Sequence, residues 1–476
     1  MIQLTNNTTR KTSVCKKNIN LVFSQADVSF DNAINLPNTK ELIMKKLFLI
    51  ILSLSFTAVS LAQKFNQTFV NTDIENFWVA YDKIILTKDS IEQYNLLKKL
   101  YLDKGTEGLK NLIEVRNYTG KNFIDAINKY PNFWNSIRLN TLNTESLYSK
   151  INSDIEKLKK AYPELKPSTI YFTVGAFRTG GTTQGNKVLI GSEVSLADKT
   201  TVINELPSWR QPFYKTQNPI NEIALLCAHE YIHTQQKEIV HNLISMCLYE
   251  GVAEFISCKV TGKKSDAPAI EFGKSNQKII IDKFVADLFI MTNNYSWLWG
   301  ENLNNLKVRD LGYYIGYEIC ERYYNLSKDK TKAIKDLIEL DYTNEKEVER
   351  IVDITKLLPK TLVELNSDYE KQRPTVIQMT PFENGSQFVK SGLTKITIIF
   401  SEPLVKYNTG VDFGPLGQEY FPNINPERVF GEDGKSWTFE ADLKPNQHYQ
   451  ILIANNFRKE NGVRLKPYLI DFKTID

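Results

Sequence analysis

The chain of 476 residues contains little histidine and little cysteine. It has four histidines and five cysteines, and the absence of a CxxC pair excludes a zinc ribbon. Cys15 lies near the amino terminus, whereas Cys227, Cys247, Cys258 and Cys320 lie in apolar stretches predicted to be helical. In an exported protein these four could form disulfides, or they could be buried free thiols.

The chain also lacks an excess of charge and a nucleotide-binding motif. Residues 1–62 hold 7 Lys/Arg and 3 Asp/Glu, so 52 basic and 52 acidic residues balance in the remainder, which argues against a nucleic-acid partner. The Gly/Thr-rich segment 179–185 has no GK[ST] sequence and is interpreted as a turn rather than a phosphate loop. With 42% apolar and 24% charged residues, the composition is typical of a globular protein with two or three domains.

The most hydrophobic stretch, 47–56, follows Lys45 and Lys46 and ends in small residues. This order predicts a secretory signal peptide over 44–62. The alternative is an amino-terminal membrane anchor, which the shortness of the run disfavours. Residues 1–43 would then be either a leader or a segment included by an incorrectly assigned start site, and we expect them to be disordered. The mature protein would be secreted or periplasmic, without a stable membrane span.

Two hydrophobicity patterns divide the rest of the chain. From 66 to about 369 a helical period dominates, interrupted by strand signals at 170–174 and 188–190. In the last hundred residues, alternation of apolar and polar residues replaces it and predicts short strands. The predicted fold class is α+β, with a mainly helical domain and a small sheet over 63–370, followed by an all-β sandwich over 374–476.

Two of the four histidines belong to an H-E-x-x-H motif, formed by His229, Glu230 and His233 within a predicted helix over 220–238. Residues four apart share a helix face, so both imidazoles can bind one zinc ion. Glu230 lies about 100° round the helix, where it can act as a general base towards water activated by the metal. The alternative is a pair of ordinary surface or core histidines, which the scarcity of histidine disfavours.

A catalytic zinc site needs a third protein ligand. His241 would lie about 12 Å beyond His233 on a continuous helix, too far to share the ion. Gln236 and Ile239 occupy the positions where a metzincin has Gly and His. Glu250 and Glu254 share a face of the next predicted helix. Glu250 is favoured as the ligand and Glu254 as a hydrogen-bond partner of a histidine, but the reverse assignment stays open.

The motifs H-E-Y-I-H at 229–233 and Y-E-G-V-A-E at 249–254 resemble those of the gluzincin zinc peptidases. They are most similar to predicted secreted bacterial Zn-dependent proteases that carry H-E-Y-x-H and E-G-x-A-E. The resemblance is specific over 220–260 and extends over 66–369. It implies peptide-bond hydrolysis with Zn²⁺ as the cofactor. The residues that it implies as zinc ligands are His229, His233 and Glu250. Glu230 would be the general base, and Glu254 would hydrogen-bond to one of the ligands.

Gluzincins also stabilise the oxyanion with a tyrosine or histidine and hold the substrate backbone on an edge strand. The segment 309–317 resembles the G-Y-x-x-G-Y helix of the same proteases, which implies Tyr313 and Tyr317 as catalytic candidates. Simple packing of these tyrosines is the alternative. The edge-strand candidates are 188–190 and the turn 178–181.

The carboxy-terminal stretch resembles a bacterial Ig-like domain of the S-layer type, through T-P at 380–381, I-F-S-E-P at 399–403 and D-F-K-T at 471–474. This resemblance implies a spacer, or a module that contacts the cell surface or a polysaccharide. For the whole chain we predict a secreted zinc metallopeptidase acting on a peptide or protein. The alternatives are an exported binding or adhesion protein with an inactive peptidase-like domain, and a metal-free glycoside-binding protein.

Overall fold

The structure is a computed structural model that describes residues 67–299, 306, 308–407, 409–454 and 456–476. The leader and signal peptide predicted over 1–43 and 44–62 lie outside the described residues. None of the helices among the described residues is both long and apolar enough to cross a membrane.

Helices make up most of the described chain up to residue 372, so the mainly helical character predicted there is confirmed. They are α1 (Thr72–Ile84), α2 (Ser90–Leu97), α3 (Glu107–Val115), α4 (Gly120–Lys129), α5 (Pro131–Leu142), α6 (Glu145–Ala161), α7 (Ser192–Ser195), α8 (Gln211–Thr216), α9 (Pro219–His233), α10 (Leu243–Thr261), α11 (Pro268–Ser275), α12 (Gln277–Asp287), α13 (Asn294–Trp297), α14 (Leu311–Leu326), α15 (Lys330–Ile338), α16 (Glu345–Ile354) and α17 (Leu362–Gln372). Lys98–Leu102 continues α2 as a π-helical segment, and Met291–Asn293 and Gln418–Tyr420 are 3₁₀ turns.

A small sheet lies among these helices. Its strands are β1 (Thr68–Val70), β2 (Thr169–Thr173), β3 (Gly181–Gln184) and β4 (Lys187–Gly191), in the spatial order β1-β2-β4-β3. β1, β2 and β4 are parallel, and β3 runs antiparallel to β4 at the edge. Ile170, Phe172, Val188 and Ile190 are fully buried, so the sheet packs into the helical core.

Two expectations about this sheet are wrong. The Gly/Thr-rich segment 179–185 is not only a turn, because its residues Gly181–Gln184 pair with β4 as a strand. The stretch 188–190 cannot hold a substrate backbone, because β4 pairs with β2 on one side and β3 on the other. β3 is an edge strand of the sheet, and its first residue, Gly181, is also the last residue of the other candidate, the turn 178–181.

The carboxy-terminal region consists of strands, as the alternation predicts. They are β5 (Val376–Thr380), β6 (Val389–Lys390), β7 (Gly392–Phe400), β8 (Val411–Phe413), β9 (Asn423–Phe430), β10 (Ser436–Leu443), β11 (His448–Ile453) and β12 (Tyr468–Ile475). They form two four-stranded sheets, with the orders β5-β7-β10-β9 and β6-β12-β11-β8. The α+β class is therefore confirmed.

The helical and β regions have separate hydrophobic clusters. In the helical region, Phe77, Trp78 and Trp134 pack as an aromatic group within a cluster that includes α9, α10 and α14. In the β region, residues of both sheets, such as Trp437 and Phe472, share one cluster. The residues Phe65–Asp476 nevertheless form one compact unit, so the division into domains at 370–374 stays a prediction.

Candidate metal centre

The two motif histidines lie in the last two turns of α9. This helix starts with Pro219, whose fixed φ suits the first helical position, and it ends at His233, earlier than the predicted 238. Apolar residues occupy every face of this helix, so the helix is buried and its two histidines lie in the core, each 8% exposed. The Nε2 atoms of His229 and His233 lie 3.1 Å apart.

Glu250 of α10 completes a group of three potential metal ligands. Its Oε2 atom lies 3.4 Å from His233 Nε2 and 3.6 Å from His229 Nε2. Ligands 2.0–2.1 Å from a tetrahedral zinc ion would be about 3.3–3.4 Å apart. The observed separations of 3.1, 3.4 and 3.6 Å are close to this value, so the three residues fit a zinc ion. Within the described residues, no other group of at least three His, Cys, Asp or Glu side chains has this arrangement.

Glu254 lies one helical turn beyond Glu250 and contacts His229 from the opposite side of the ring. Its Oε2 atom is 2.9 Å from His229 Nδ1, while its Oε1 atom accepts hydrogen bonds from the Ser265 hydroxyl and, at 3.7 Å, from the Cys258 thiol. These contacts fix the orientation of the imidazole and leave its Nε2 atom facing Glu250. The structure thus brings both glutamates to the histidines, Glu250 at the Nε2 atoms and Glu254 at an Nδ1 atom.

His233 has a corresponding partner that sequence reasoning missed. Its Nδ1 atom is 2.6 Å from Gln236 Oε1, and Gln236 Nε2 donates to the Tyr249 carbonyl at 3.0 Å and to the Tyr342 hydroxyl at 3.4 Å. The Tyr249 ring stacks on His233 with centroids 4.4 Å apart. The signal available in the sequence was a polar amide three residues after the second histidine. Gln236 served there only as evidence against a metzincin.

Glu230 lies between this cluster and the edge strand. A Cβ atom placed on Gly181, the first residue of β3, would be 2.7 Å from Glu230 Oε1, so glycine is needed for this close approach. Burial raises the pKa of the Glu230 carboxyl, and the charges of His233 and His229 oppose this rise. The carboxylate therefore lies close to the backbone of the edge strand and interacts electrostatically with both histidines.

A contact between two glycines brings α14 to the site. A Cβ atom on Gly316 of α14 would be 1.8 Å from the Cys247 carbonyl oxygen of α10, and one on Gly251 of α10 would be 2.1 Å from the Gly316 carbonyl carbon. The backbones of the two helices are therefore in direct contact at Gly251 and Gly316, and a side chain at either position would prevent this contact. This crossing places Tyr313 next to Glu250.

The two candidate tyrosines of α14 have different surroundings. Tyr313 lines the cavity beside Glu230, with its ring centroid 6.3 Å from that of His229. Burial raises the pKa of its hydroxyl well above the usual value, and the Glu250 carboxylate raises that pKa further, so the hydroxyl keeps its proton. Tyr317 is not brought to the cluster: its ring packs against Phe255, with Lys274 on its face. His241 is exposed in the connection between α9 and α10.

A cavity of about 570 Å³ opens beside the cluster. Gly180 and Gly181 at the start of β3 form one part of its lining, and Leu225 and Leu226 of α9 form another. The rest of its lining comes from the segment before β3, from α7, from α8 and the residues before it, from other residues of α9, from Glu254 of α10 and the segment after α10, and from the start of α14 with the residues before it. An extended peptide placed along β3 would therefore pass Glu230.

Comparison with known proteins agrees with the metal centre. A family model described as "Predicted Zn-dependent protease (DUF2268)" matches residues 212–344, the part of the chain that carries α9, α10 and α14. No curated protein sequence matches the chain. The family description and the buried histidine–glutamate cluster both point to zinc.

Comparison with solved structures finds two of surface-layer proteins. The "Crystal structure of the S-layer protein rSbsC(31-844)" is 12% identical and is matched over 84% of this chain and 45% of that chain, with a TM-score of 0.17. The "Structure of surface layer protein SbsC, domains 1-6" is 11% identical over 85% and 45%, also with a TM-score of 0.17. The chain thus spans less than half the length of either protein, and this TM-score does not establish a shared fold.

Proposed function

We propose that this protein is an exported zinc metallopeptidase. The observation that carries the proposal is the near-tetrahedral spacing of the ligand atoms of His229, His233 and Glu250, with Glu230 beside them. A structural zinc site would need no free carboxylate facing a cavity, whereas hydrolysis needs one as a base. The presence of Glu230 therefore favours a peptidase over an inactive adhesion protein.

In this proposal His229, His233 and Glu250 would hold the zinc ion, and Glu254 and Gln236 would fix the two imidazole rings. Bound zinc would supply a Lewis acid that polarises the peptide carbonyl and acidifies water. Glu230 would take the proton from the attacking water and deliver it to the leaving amine.

Two further elements would position the substrate. The edge strand β3 would pair with the backbone of an extended peptide, which would place one of the peptide's carbonyls near Glu230. Tyr313, whose hydroxyl stays protonated, would donate a hydrogen bond to the carbonyl oxygen as negative charge develops on it. Tyr317 packs away from the cavity and has no role in this mechanism.

The test is Glu230→Gln, which keeps the size of the side chain but removes its basicity. We expect zinc content to stay near one per chain while hydrolysis of an unfolded protein substrate falls by about 10²–10⁴-fold. The matched control is Glu238→Gln, the same change at an exposed position after α9. If the zinc-loaded wild type hydrolyses no peptide, or if Glu230→Gln retains full activity, the proposal fails.

The proposal includes export and an Ig-like carboxy-terminal module. Residues 44–62 would be removed as a signal peptide, and amino-terminal sequencing of exported protein would reveal an intact leader if this is wrong. The shared cluster of the two carboxy-terminal sheets supports a sandwich. Contact of this module with cell-surface polysaccharide stays a prediction.

A further inference from the structure

Arg210, just before α8, is the cavity arginine with unused hydrogen-bonding capacity. It lines the same cavity as Glu230, and among the residues that the structure describes its guanidinium has no hydrogen-bond acceptor and no carboxylate within ion-pair distance. A guanidinium group has five N–H donors and keeps its charge at any physiological pH. Such a group in a cavity is therefore available to a ligand.

The other two arginines of the cavity are engaged by the protein. Arg178 donates to the carbonyl oxygens of Arg116 and Asn117 at 2.6 and 2.7 Å. Arg309 donates to a backbone carbonyl at 3.2 Å and lies 3.9 Å from Asp310. Their partners distinguish both from Arg210.

Two aromatic rings hold the Arg210 guanidinium in place. Its central carbon lies over the Trp209 ring, 4.4 Å from the centroid, and over the Phe177 ring at 5.9 Å. Both distances are within the range of cation–π attraction. A guanidinium that stacks with its face on a ring keeps the N–H donors at its edge free, and such donors can bind a carboxylate through two parallel hydrogen bonds.

The position of Phe177 depends on a buried carboxylate behind the cavity wall. Phe177 has φ of 67°, a left-handed backbone conformation that is rare for a bulky residue. Its N–H donates to Glu193 Oε1 and the Gly175 N–H donates to Glu193 Oε2, both at 2.9 Å, and Glu193 is fully buried. Strained backbone persists where the surrounding structure over-determines it, often in ligand sites. Glu193 thus maintains the ring on which Arg210 stacks.

We infer that Arg210 binds a carboxylate group of the substrate. The inference rests on the proposed peptidase function and specifies its substrate class: a peptide with an acidic side chain or a free carboxyl terminus near the cleaved bond. Five carboxylates also line the cavity, so carboxylate binding should be confined to the Arg210 side; they belong to Glu222, Glu230, Glu254, Asp266 and Asp310. Glu222 is partly neutralised by Lys263 at 3.7 Å.

The experiment measures peptide binding by calorimetry to the zinc-loaded Glu230→Gln protein, in which hydrolysis is suppressed. The probes are N-acetyl-tetraalanine amide as a neutral reference, the same peptide with a free carboxyl terminus, and four amides with one glutamate at each position in turn. We expect at least one carboxylate peptide to bind about 10–100-fold more tightly than the reference. The free-terminus and glutamate peptides separate the two sources of the carboxylate.

Arg210→Met, added to the Glu230→Gln protein, should abolish the preference for carboxylate peptides while changing the affinity for the neutral reference by no more than about 3-fold. Arg210→Lys should retain part of the preference, because lysine keeps the positive charge but lacks the planar pair of N–H donors. Lys215→Met is the matched control, since it removes a positive charge from an exposed residue of the same segment that does not line the cavity. Zinc content and circular dichroism check that each variant is folded.

Three results would overturn the inference: no carboxylate peptide binds better than the reference, the preference survives Arg210→Met, or a lysine-containing peptide binds better than any glutamate peptide. The outcome is separable from that of the proposed function. Binding that depends on Arg210, in a protein whose zinc-loaded wild type hydrolyses neither these peptides nor the unfolded protein substrate, would refute the peptidase and retain the carboxylate site.

Discussion

The helical region and the β region bury different kinds of side chain. α9 and α10 place five titratable residues in the core, each 7–8% exposed: His229, Glu230, His233, Glu250 and Glu254. In the described part of the β region, the buried polar residues are Gln450 and Thr474, neither of which is charged. Because buried charges are costly unless they are paired or bind a cation, the helical region should depend on a metal for stability, and the β region should not.

Removing a zinc ligand should have the largest effect, because only the helical region is expected to depend on a metal for stability. Glu250→Ala and His233→Ala should each reduce zinc from near one to near zero per chain after dialysis, because two ligands hold zinc far less tightly than three. They should also destabilise the helical region by leaving the remaining charges unpaired. Metal analysis and thermal unfolding measure both effects, with Glu238→Ala as the control. Full zinc retention in both variants would contradict the ligand assignment.

Truncating a core residue of the β region should reduce stability without affecting zinc. Trp437 is fully buried, and Trp437→Ala should lower the free energy of unfolding by about 3–5 kcal/mol. Trp437→Phe is the matched control, since it keeps most of the volume, and the indole N–H that it removes has no hydrogen-bond partner among the described atoms. Urea unfolding followed by circular dichroism measures stability. Zinc loss in Trp437→Ala before unfolding would mean that the two regions are coupled.

Removing a partner of the ligands should have an intermediate effect. Gln236→Leu deprives His233 Nδ1 of its acceptor, and Glu254→Ala does the same for His229, so each should weaken zinc affinity by about 10–100-fold. Competition with a chelator measures the change. Gln235→Leu is the control for Gln236, because the Gln235 side chain contacts Lys166 and Thr234 and not the histidines. Equal affinities of the Gln235 and Gln236 variants would refute the positioning role.

The smallest effect should be seen with the thiols. The four cysteines of the helical region are free and buried, and burial raises the pKa of each. Native protein that begins after the predicted signal peptide, and so has only these four thiols, should therefore incorporate essentially no iodoacetamide at pH 8 over minutes, whereas the unfolded form should take up four groups. Mass spectrometry counts the adducts. Because the β region has no cysteine, labelling reports selectively on opening of the helical region, and rapid labelling of the native form would contradict its compactness.

Local periodicity was sufficient to predict part of the site. The placement of His229 and His233 on one helix face follows from the 3.6-residue period, and their burial follows from the apolar residues on every side of α9. The approach of Glu250 could also be anticipated, because 17 residues are enough for the chain to turn and return. These features depend on sequence neighbours and on one reversal of the chain.

Other features depend on distant parts of the chain. Tyr313 and Tyr317 share a helix face, but the crossing of α14 over α10 at Gly316 brings only Tyr313 to the cavity. β3 is a strand because β4 pairs with it, although the glycines at 180, 181 and 185 are typical of a turn. Gln236 is also held by the Tyr249 carbonyl and the Tyr342 hydroxyl, which belong to other parts of the chain. No local pattern contains this information.

The contact between Gly251 and Gly316 has a consequence for the motions of the site. Interfaces built from side chains can relax by exchanging rotamers on the picosecond to nanosecond timescale, but one built from backbone atoms has no rotamers to exchange. Sliding by one helical turn would displace α14 by about 5.4 Å. Between such steps, Tyr313 can move relative to Glu250 chiefly through its own torsion angles. Adaptation to different substrates should therefore come from movement of the loops around the cavity, while α10 and α14 keep their positions relative to each other.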